Sequence, residues 1–252
     1  SSSPLIMAGL QLLSDQSLRI DGRRPHELRK ISCKIGIYEQ ADGSAYLEQG
    51  NTKVLAAVYG PHEATGSKSK ISSTQATINC QFSMATFSTG ERKKRPRGDR
   101  KSVEASIHLK QIFQSVISVE LFPRSQIDIY IEVLQADGGN FSAAANAATL
   151  AVVDAGIPIK DYVCSCTASF VNGVPLVDVS HLEEMNGGPV MNIACLPKSG
   201  SIVLLEMSSR FHLDNLEAVV KEATEGCREV HKIIDSAFRK HLTTVGSLTG
   251  WE

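Results

Sequence analysis

One short glycine-containing segment has the residue types of an anion-binding site. Gly138, Gly139, Asn140 and Phe141 follow a predicted strand and lead into a predicted helix. A glycine turn at the start of a helix leaves backbone N–H groups free, and the helix dipole favours a negative charge there. Many strand-to-helix connections use glycine only to turn the chain, so the segment alone leaves a purely structural role open.

A second candidate site is a basic stretch at residues 91–101. It carries a net charge of +5, whereas the whole chain carries -1. Such a local positive field is typical of a surface that binds a polyanion. Its basic residues are Arg92, Lys93, Lys94, Arg95, Arg97, Arg100 and Lys101. A solvated loop and a nuclear localisation signal are alternative interpretations, and we expect Lys68 and Lys70 to extend the surface if it binds a polyanion.

The remaining reactive and aromatic residues indicate no further site. The seven histidines are scattered, and no sequence feature pairs any of them with a nucleophile. The six cysteines include no CxxC pair, which predicts reduced core thiols in an intracellular protein. Aromatic residues make up only 6% of the chain, so no base-stacking platform is evident. We expect Phe87, beside the basic stretch, to be a core residue.

The elements that position these residues belong to a chain of ordinary globular composition. It has 252 residues, of which 42% are hydrophobic and 21% charged, and this composition excludes a disordered chain. The longest nearly apolar run, at residues 143–153, is well short of the roughly 20 residues that a membrane span requires. We expect residues 1–6 to be an artificial leader ahead of a natural start at Met7.

In the first half, short strands precede two helices. Residues 45–48 and 53–59 flank a turn and predict a hairpin, with Pro61 ending its second strand. Alternating apolar residues predict strands at 78–84 and 127–133. Helical spacing predicts a helix with Ser102 as its N-cap, and an alanine-rich segment predicts another at 142–155.

The second half repeats the order of strands before a helix. Residues 163–170 and 175–179 flank Asn172-Gly173, which predicts a tight hairpin. Two more strands are predicted at 191–196 and 202–207. A long amphipathic helix follows, with Asp214 and Glu217 as its predicted capping pair. The order of strands followed by helices occurs in both halves of the chain. This repeated order indicates an α+β or mixed α/β fold of two similar halves.

Short motifs along the chain closely resemble those of the RNase PH family, over about residues 18–240. They are Ile20-Asp21-Gly22-Arg23-Arg24, Ala41-Asp42-Gly43-Ser44-Ala45, Gly50-Asn51-Thr52-Lys53-Val54, Phe87-Ser88-Thr89-Gly90, Pro123-Arg124-Ser125-Gln126-Ile127-Asp128, Leu134-Gln135-Ala136-Asp137-Gly138-Gly139 and Asp154-Ala155-Gly156-Ile157-Pro158. Within the family the chain is most similar to ring subunits of the RNA exosome.

The resemblance implies an RNase PH-like fold of two βαβ-like halves, with sheets packed against helices. We assign residues 18–155 to the first half, 156–242 to the second half with its long C-terminal helix, and 243–252 to a tail. The implied partners are other RNase PH-like subunits in a hetero-hexameric ring, S1/KH cap subunits, an associated exoribonuclease and single-stranded RNA. The implied setting is the nucleus, nucleolus and cytoplasm, with roles in rRNA processing and RNA degradation and no membrane association.

Active members of the family cleave RNA with inorganic phosphate and release nucleoside diphosphates. They end the glycine turn with a Thr-Arg or Ser-Arg pair, whereas this chain has Asn140-Phe141. The resemblance therefore implies that Gly138, Gly139, Asn140 and Phe141 form a degenerate phosphate site without the phosphate-binding guanidinium. It also matches Arg100-Lys101 to an Arg-Arg pair that grips RNA, so both positive charges are kept. From this resemblance we expect the basic stretch, together with Lys68 and Lys70, to bind RNA.

Active relatives also carry two aspartates, six residues apart, that hold a divalent cation. Glu184 and Val190 match those positions and define a degenerate metal site, because valine cannot ligate Mg²⁺. Glu183 or Asp178 could substitute as a ligand, but we expect both to be ordinary surface acids. We therefore expect no catalytic residue, no bound metal and no cofactor.

Two hypotheses follow from these matches. The first is a non-catalytic ring subunit of the RNA exosome that lines the channel and guides RNA to a separate 3′-to-5′ exoribonuclease. The alternative is an active phosphate-dependent 3′-to-5′ exoribonuclease whose site tolerates the substitutions.

Overall fold

The computed structural model describes residues 12–14, 16–64, 73–92 and 98–249, which form two β-sheets and four α-helices. The first sheet contains β1 (Ile31–Ile35), β2 (Gly43–Gln49), β3 (Thr52–Glu63), β4 (Thr77–Met84) and β5 (Ser125–Gln135). The second sheet contains β6 (Cys164–Val171), β7 (Val174–Val177), β8 (Val190–Leu196) and β9 (Ser201–Met207). The helices are α1 (Arg100–Val116), α2 (Asn140–Asp154), α3 (His181–Asn186) and α4 (Leu213–Thr249).

The sheet topology confirms the predicted mixed α+β class. The first sheet has the order β1-β2-β3-β5-β4, with β4 and β5 parallel and the other pairs antiparallel. The second sheet has the order β7-β6-β8-β9 and is antiparallel throughout. Both predicted hairpins form, and Asn172 and Gly173 have φ angles of 50° and 84° in the second one. Two positive φ angles match the turn type that suits the twist of paired strands.

Helix α2 lies between the two sheets and contacts both. Its residues 142–152 are all buried, which explains why the helix is apolar on every side and rich in alanine. Gly43 on β2 allows the close approach of the first sheet, because a Cβ there would lie 2.2 Å from the Ala151 carbonyl oxygen. On the side of the second sheet, the Asn146 amide donates to the Ser165 carbonyl (3.0 Å) and accepts from the Ser165 N–H (2.8 Å).

The other long helices cover the remaining apolar surfaces. Helix α1 packs against β4, and α4 packs against β6, β7 and β8 and reaches β1. The predicted apolar stripe of α4 is confirmed, since Val219, Ala223, Cys227, Val230 and Ile234 are fully buried. No helix in the described part of the chain is both long and apolar enough to cross a membrane.

The ends of three elements differ from the prediction. Helix α1 begins at Arg100, because the Asp99 side chain accepts the Arg100 N–H at 2.9 Å and caps the helix before Ser102. Strand β3 continues past Pro61 to Glu63, since a register shift against β5 after Tyr59 accommodates the residue without an N–H.

Helix α4 differs at both ends. It begins at Leu213, so Asp214 lies inside the first turn and contacts His212 (3.3 Å) instead of forming a capping pair with Glu217. It also continues to Thr249, so residues 243–249 are helical where a tail was expected. The Thr243 and Thr244 hydroxyls donate to carbonyls one turn back and stay within the helical pattern.

The cysteines are as expected, whereas Phe87 is not. All six cysteines are free, five of them buried and Cys33 half-buried. Phe87 is 72% exposed, so the prediction of a core residue was wrong. It lies in the turn that follows β4, where the Ser88 N–H donates to the Ala85 carbonyl and the chain leaves the sheet.

Candidate functional site

The predicted glycine turn begins helix α2 in a backbone conformation that requires glycine. Gly138 and Gly139 have φ angles of 80° and 62°. A Cβ on Gly138 would lie 2.5 Å from the carbonyl carbon of Ser180, so this turn packs directly against the start of α3. Gly139 is the N-cap of α2 and has no side chain to cap the helix. None of the hydrogen bonds among the described residues uses the N–H groups of residues 140–142.

A buried arginine supports the turn from below. The Arg29 Nη1 group donates to the Asp137 carbonyl (2.8 Å), and its Nη2 group donates to the Gly138 carbonyl (3.2 Å). Thr52 reinforces the same turn, since its hydroxyl donates to the Gly138 carbonyl at 2.8 Å. Two motifs that are far apart in sequence, Gly50-Asn51-Thr52 and Asp137-Gly138-Gly139, therefore meet in the fold.

Arg29 is paired with a buried carboxylate. Its backbone N–H, Nε and Nη2 groups all donate to Asp178, at 2.7, 3.0 and 2.7 Å. Gln49 also donates to this carboxylate, at 2.8 Å. Burial alone would lower the pKa of the Arg29 guanidinium, but the charge and hydrogen bonds of Asp178 raise that pKa above its usual value. Because its donors are engaged, Arg29 does not replace the arginine missing from the turn.

Phe141 lies where the family resemblance leads us to expect the missing arginine. Its ring packs edge-on against the His108 ring of α1, with centroids 6.3 Å apart and planes at 83°. The neighbouring Asn140 presents a buried Oδ1 atom that accepts no hydrogen bond from the described residues. Neither the Phe141 ring nor the Asn140 Oδ1 atom attracts phosphate, and none of the four residues of this segment supplies a guanidinium.

The two matched metal positions do not form a carboxylate pair. Glu184 is exposed on α3, whereas Val190 is 8% exposed and begins β8. The Val190 carbonyl accepts hydrogen bonds from the Ser208 N–H (2.9 Å) and hydroxyl (3.0 Å). The Val190 backbone therefore belongs to the hydrogen-bonded end of the sheet, and its buried side chain offers no ligand atom.

The two neighbouring acids are buried, so the expectation that they are surface residues was wrong. Asp178 pairs with Arg29, and Glu183 forms a bidentate pair with Arg19, in which the Nε–Oε1 distance is 2.7 Å. Burial alone would raise the pKa of Glu183, but hydrogen bonds from Arg19 and Ser180 bring that pKa below its usual value. Both carboxylates are held by guanidinium groups and are unavailable to a cation.

These residues therefore do not fit the Mg²⁺ site that active relatives use. Mg²⁺ needs carboxylate oxygens on an open surface where it keeps several waters. In the described part of the chain, no group of three or more His, Cys, Asp or Glu side chains is arranged to hold a metal ion.

The described part of the basic stretch is exposed. Arg92, Arg100 and Lys101 all face solvent, and the Arg100 side chain is 91% exposed. Among the described residues, the Arg100 side chain forms one ion pair, with Glu104 at 3.2 Å. The remaining predicted RNA-binding residues lie outside the described residues, as does the expected leader at 1–6; they are Lys68, Lys70, Lys93, Lys94, Arg95 and Arg97.

The fold brings these separate parts of the sequence to one place. The His181 N–H donates to the Asp137 carbonyl (3.1 Å), which joins α3 to the glycine turn. The Ala136 N–H donates to the Ser88 carbonyl (2.9 Å), so the chain enters the basic stretch beside the same turn. The contact of Phe141 with α1 connects the turn to the helix on which the basic stretch ends.

The buried arginine–carboxylate pairs under this site were not predicted from the sequence. Arg19 and Arg29 lie 164 and 149 residues from the carboxylates that they bind. Runs of basic residues near residue 20 gave no indication of burial, because arginine is mostly found at the surface. One indication was available, since Arg19 directly precedes the segment Ile20-Asp21-Gly22-Arg23-Arg24, which resembles a family motif.

The sequence comparisons agree with this geometry. A model described as the 3′ exoribonuclease family, domain 1, matches residues 27–158, and domain 2 of the same family matches residues 161–226. Human exosome complex component RRP41 is 57% identical over 244 residues, which cover 97% of this chain and 100% of that protein. Exosome complex component Rrp41 of Methanopyrus kandleri is 41% identical, over 88% of this chain and 92% of that protein.

Solved structures show the same fold. The crystal structure of rice Rrp46 superposes with a TM-score of 0.78 at 24% identity, over 88% of this chain and 100% of the rice chain. A chain of the Archaeoglobus fulgidus exosome with RNA bound to the active site gives 0.75 at 21% identity, over 86% and 92%. The two matched domains, the motifs that meet around the glycine turn and these superpositions together show that the chain belongs to the 3′ exoribonuclease family, with the RNase PH fold.

Proposed function

We propose that this chain is a non-catalytic ring subunit of the RNA exosome that guides single-stranded RNA toward an associated 3′-to-5′ exoribonuclease. The observation that carries this proposal is the packing of Phe141 against His108 at the position where active relatives have an arginine. Val190, buried at the second metal position, supports the same conclusion.

The expected loss of rate is large. A bidentate arginine–phosphate contact contributes roughly 1.5–3 kcal/mol to binding. Removing one group that stabilises a transition state typically costs about a hundredfold in rate, and two such losses leave little phosphorolysis. The guanidinium that contacts the turn, that of Arg29, is buried and engaged by Asp178.

The exposed cations support a retained contact with RNA. Arg100 and Lys101 occupy the first turn of α1, which contains no acidic residue. Positive charges there are disfavoured by the helix dipole, so helix stability does not account for them. Contacts to phosphate groups need only charge, and a backbone-binding surface of this kind is tolerant of RNA sequence.

The proposed partners follow from the relatives' names and from the family resemblance. Those names describe exosome components in a mammal and in Methanopyrus kandleri. We infer a hetero-hexameric ring with other RNase PH-like subunits, S1/KH cap subunits and a docked exoribonuclease. The corresponding roles are rRNA processing and RNA degradation in the nucleus, nucleolus and cytoplasm.

One observation favours the alternative of an active phosphate-dependent exoribonuclease. The N–H groups of residues 140–142 at the start of α2 have no partner among the described residues, and a helix start of this kind attracts anions. An anion held there without the arginine would be bound by backbone alone.

A product assay separates the two functions. The assembled ring without its exoribonuclease is incubated with RNA, Mg²⁺ and inorganic phosphate, and the released nucleotides are identified. We expect no nucleoside diphosphate above the level seen without phosphate. Phosphate-dependent release of nucleoside diphosphates would overturn the proposal, whereas nucleoside monophosphates would indicate a contaminating hydrolase.

A further inference from the structure

A groove runs between the edge strand β1 and the C-terminal half of α4, away from the glycine turn. Its volume is about 860 Å³. Apolar side chains line both walls, with Ile35 and Ile37 on the strand side and Ile233 and Ala237 on the helix side. Ile37 is 40% exposed, so the groove leaves apolar surface in contact with solvent.

The strand that borders the groove has a free backbone edge. Within the described residues, strand β1 pairs only with β2, and the Lys30 carbonyl and Gly36 N–H both bond toward β2. Because backbone groups alternate along a strand, the N–H and C=O groups of Ile31, Cys33 and Ile35 point away from β2. None of the hydrogen bonds found in the described residues engages these outward groups. A free edge of this kind is a template for another strand.

The charged side chains that line the groove are all positive. Lys34, Lys232 and Lys240 line it, all are exposed, and none forms an ion pair within the described part of the chain. The lining contains no acidic residue, and His241 is already engaged by Asp154 at 3.6 Å. The groove therefore offers positive charge without an internal counterion.

We propose that this groove binds an extended segment of a partner protein in which apolar and acidic residues alternate, added to the first sheet as a strand beside β1. The main chain of such a segment supplies the N–H and C=O groups that the edge of β1 lacks. Its apolar side chains contact the isoleucines, and its carboxylates meet the three lysines. RNA carries the negative charge that would complement the lysines, but it has neither backbone amide groups to pair with β1 nor an apolar face to contact the isoleucines.

The test uses the full chain and a fluorescein-labelled peptide of about ten residues in which valine and glutamate alternate, long enough to cover an ordinary strand. Binding is followed by fluorescence anisotropy and by amide hydrogen exchange. We expect saturable binding that slows exchange at residues 31–35. Peptide binding should also slow alkylation of Cys33, which is half-buried, whereas the other five cysteines are buried.

Two sets of variants locate the site. Lys232→Glu with Lys240→Glu should weaken peptide binding by about tenfold or more, whereas Lys221→Glu, exposed near the other end of α4, should not. Cys33→Pro removes an outward N–H without touching the ladder to β2, and should abolish binding, whereas the matched Cys33→Val variant should retain it. Far-UV circular dichroism verifies that each variant is folded.

Three results would overturn the proposal. The first is no peptide binding at millimolar concentration, which would mean that the lysines only protect the edge from association. The second is equal binding by the Lys221 and Lys232/Lys240 variants. The third is displacement of the peptide from the wild-type chain by oligouridylate with loss of the exchange protection, which would assign the groove to RNA.

Discussion

Two buried arginine–carboxylate pairs lie under the candidate site, and each joins distant parts of the chain. Arg29 pairs with Asp178, and Arg19 pairs with Glu183 on α3. Removing one partner of such a pair leaves an uncompensated buried charge, which typically costs about 3–5 kcal/mol. We therefore expect these four residues to be more sensitive to substitution than any exposed acid of the site.

Glu183→Gln tests this expectation, because the pair depends on the charge of the carboxylate. The folded-state pKa of Glu183 lies below its usual value, so the pair stabilises the fold above about pH 4.3 and the stabilisation disappears as the pH falls through the folded pKa. We expect the variant to lose about 3 kcal/mol in the free energy of unfolding at pH 7 and less at pH 3.5. Urea titrations at both pH values measure the difference.

The matched control is Glu184→Gln, the neighbouring exposed residue. It should change the free energy of unfolding by less than about 0.5 kcal/mol at either pH. Equal losses in the two variants would contradict the assigned role of the Arg19–Glu183 pair.

At the scale of elements, the packing of β2 on α2 sets how closely the first sheet approaches the central helix. Gly43→Ala would place a Cβ 2.2 Å from the Ala151 carbonyl oxygen, which belongs to the helix backbone and cannot move aside as a flexible side chain could. We expect destabilisation of about 1–3 kcal/mol, measured by thermal unfolding. Gly90→Ala is the control, since a Cβ there meets nothing within 4 Å and should leave the unfolding temperature nearly unchanged. A similar shift in both variants would argue against the packing explanation.

Most elements could be predicted because their hydrophobic periodicity is local. Most of the strands β2 to β9 and the helices α1 and α4 have a regular apolar pattern, α2 is recognisable from its run of alanines, and the Asn172-Gly173 turn has an unambiguous composition. Strand β1 and helix α3 were missed, since five and six residues are too few for a clear period. The start of α1 was displaced because Asp99 and Ser102 are both good N-cap residues, and the capping hydrogen bond decides between them.

The candidate site was predictable only in part. The glycine turn and its helix were identified from residues next to each other in sequence. The burial of Asp178 and Glu183 was not, because their partners come from the first 30 residues and local sequence carries no record of such long-range pairs. Phe87 was misassigned for a related reason, since its exposure depends on where the chain leaves β4.

At the scale of the whole molecule, the basic stretch should affect RNA and leave the fold intact. Arg100→Glu with Lys101→Glu places acids in the first turn of α1, where the helix dipole favours them, so folding and ring assembly should be retained. We expect weaker protection of RNA from nuclease by the assembled ring. The slope of log binding constant against log salt concentration should become shallower by about 0.7 for each RNA phosphate that the variant no longer neutralises.

The control variant reverses the same amount of charge elsewhere, with Lys198→Glu and Lys221→Glu, both exposed and outside the stretch. It should leave RNA protection and the salt slope unchanged. If the Arg100/Lys101 variant protects RNA normally but is excluded from the nucleus in cells, the stretch is a localisation signal instead.

Because α2 lies between the two sheets, we expect that the chain cannot be cut into two separately folding fragments. A truncated polypeptide ending between residues 158 and 161, where the two matched regions separate, would keep α2 without the sheet that covers its other side. It would also leave the buried Arg29 guanidinium without its counterion, Asp178. We expect this fragment and the complementary C-terminal fragment each to be insoluble when expressed alone, because neither contains a complete hydrophobic core. Co-expression of the two fragments should restore solubility.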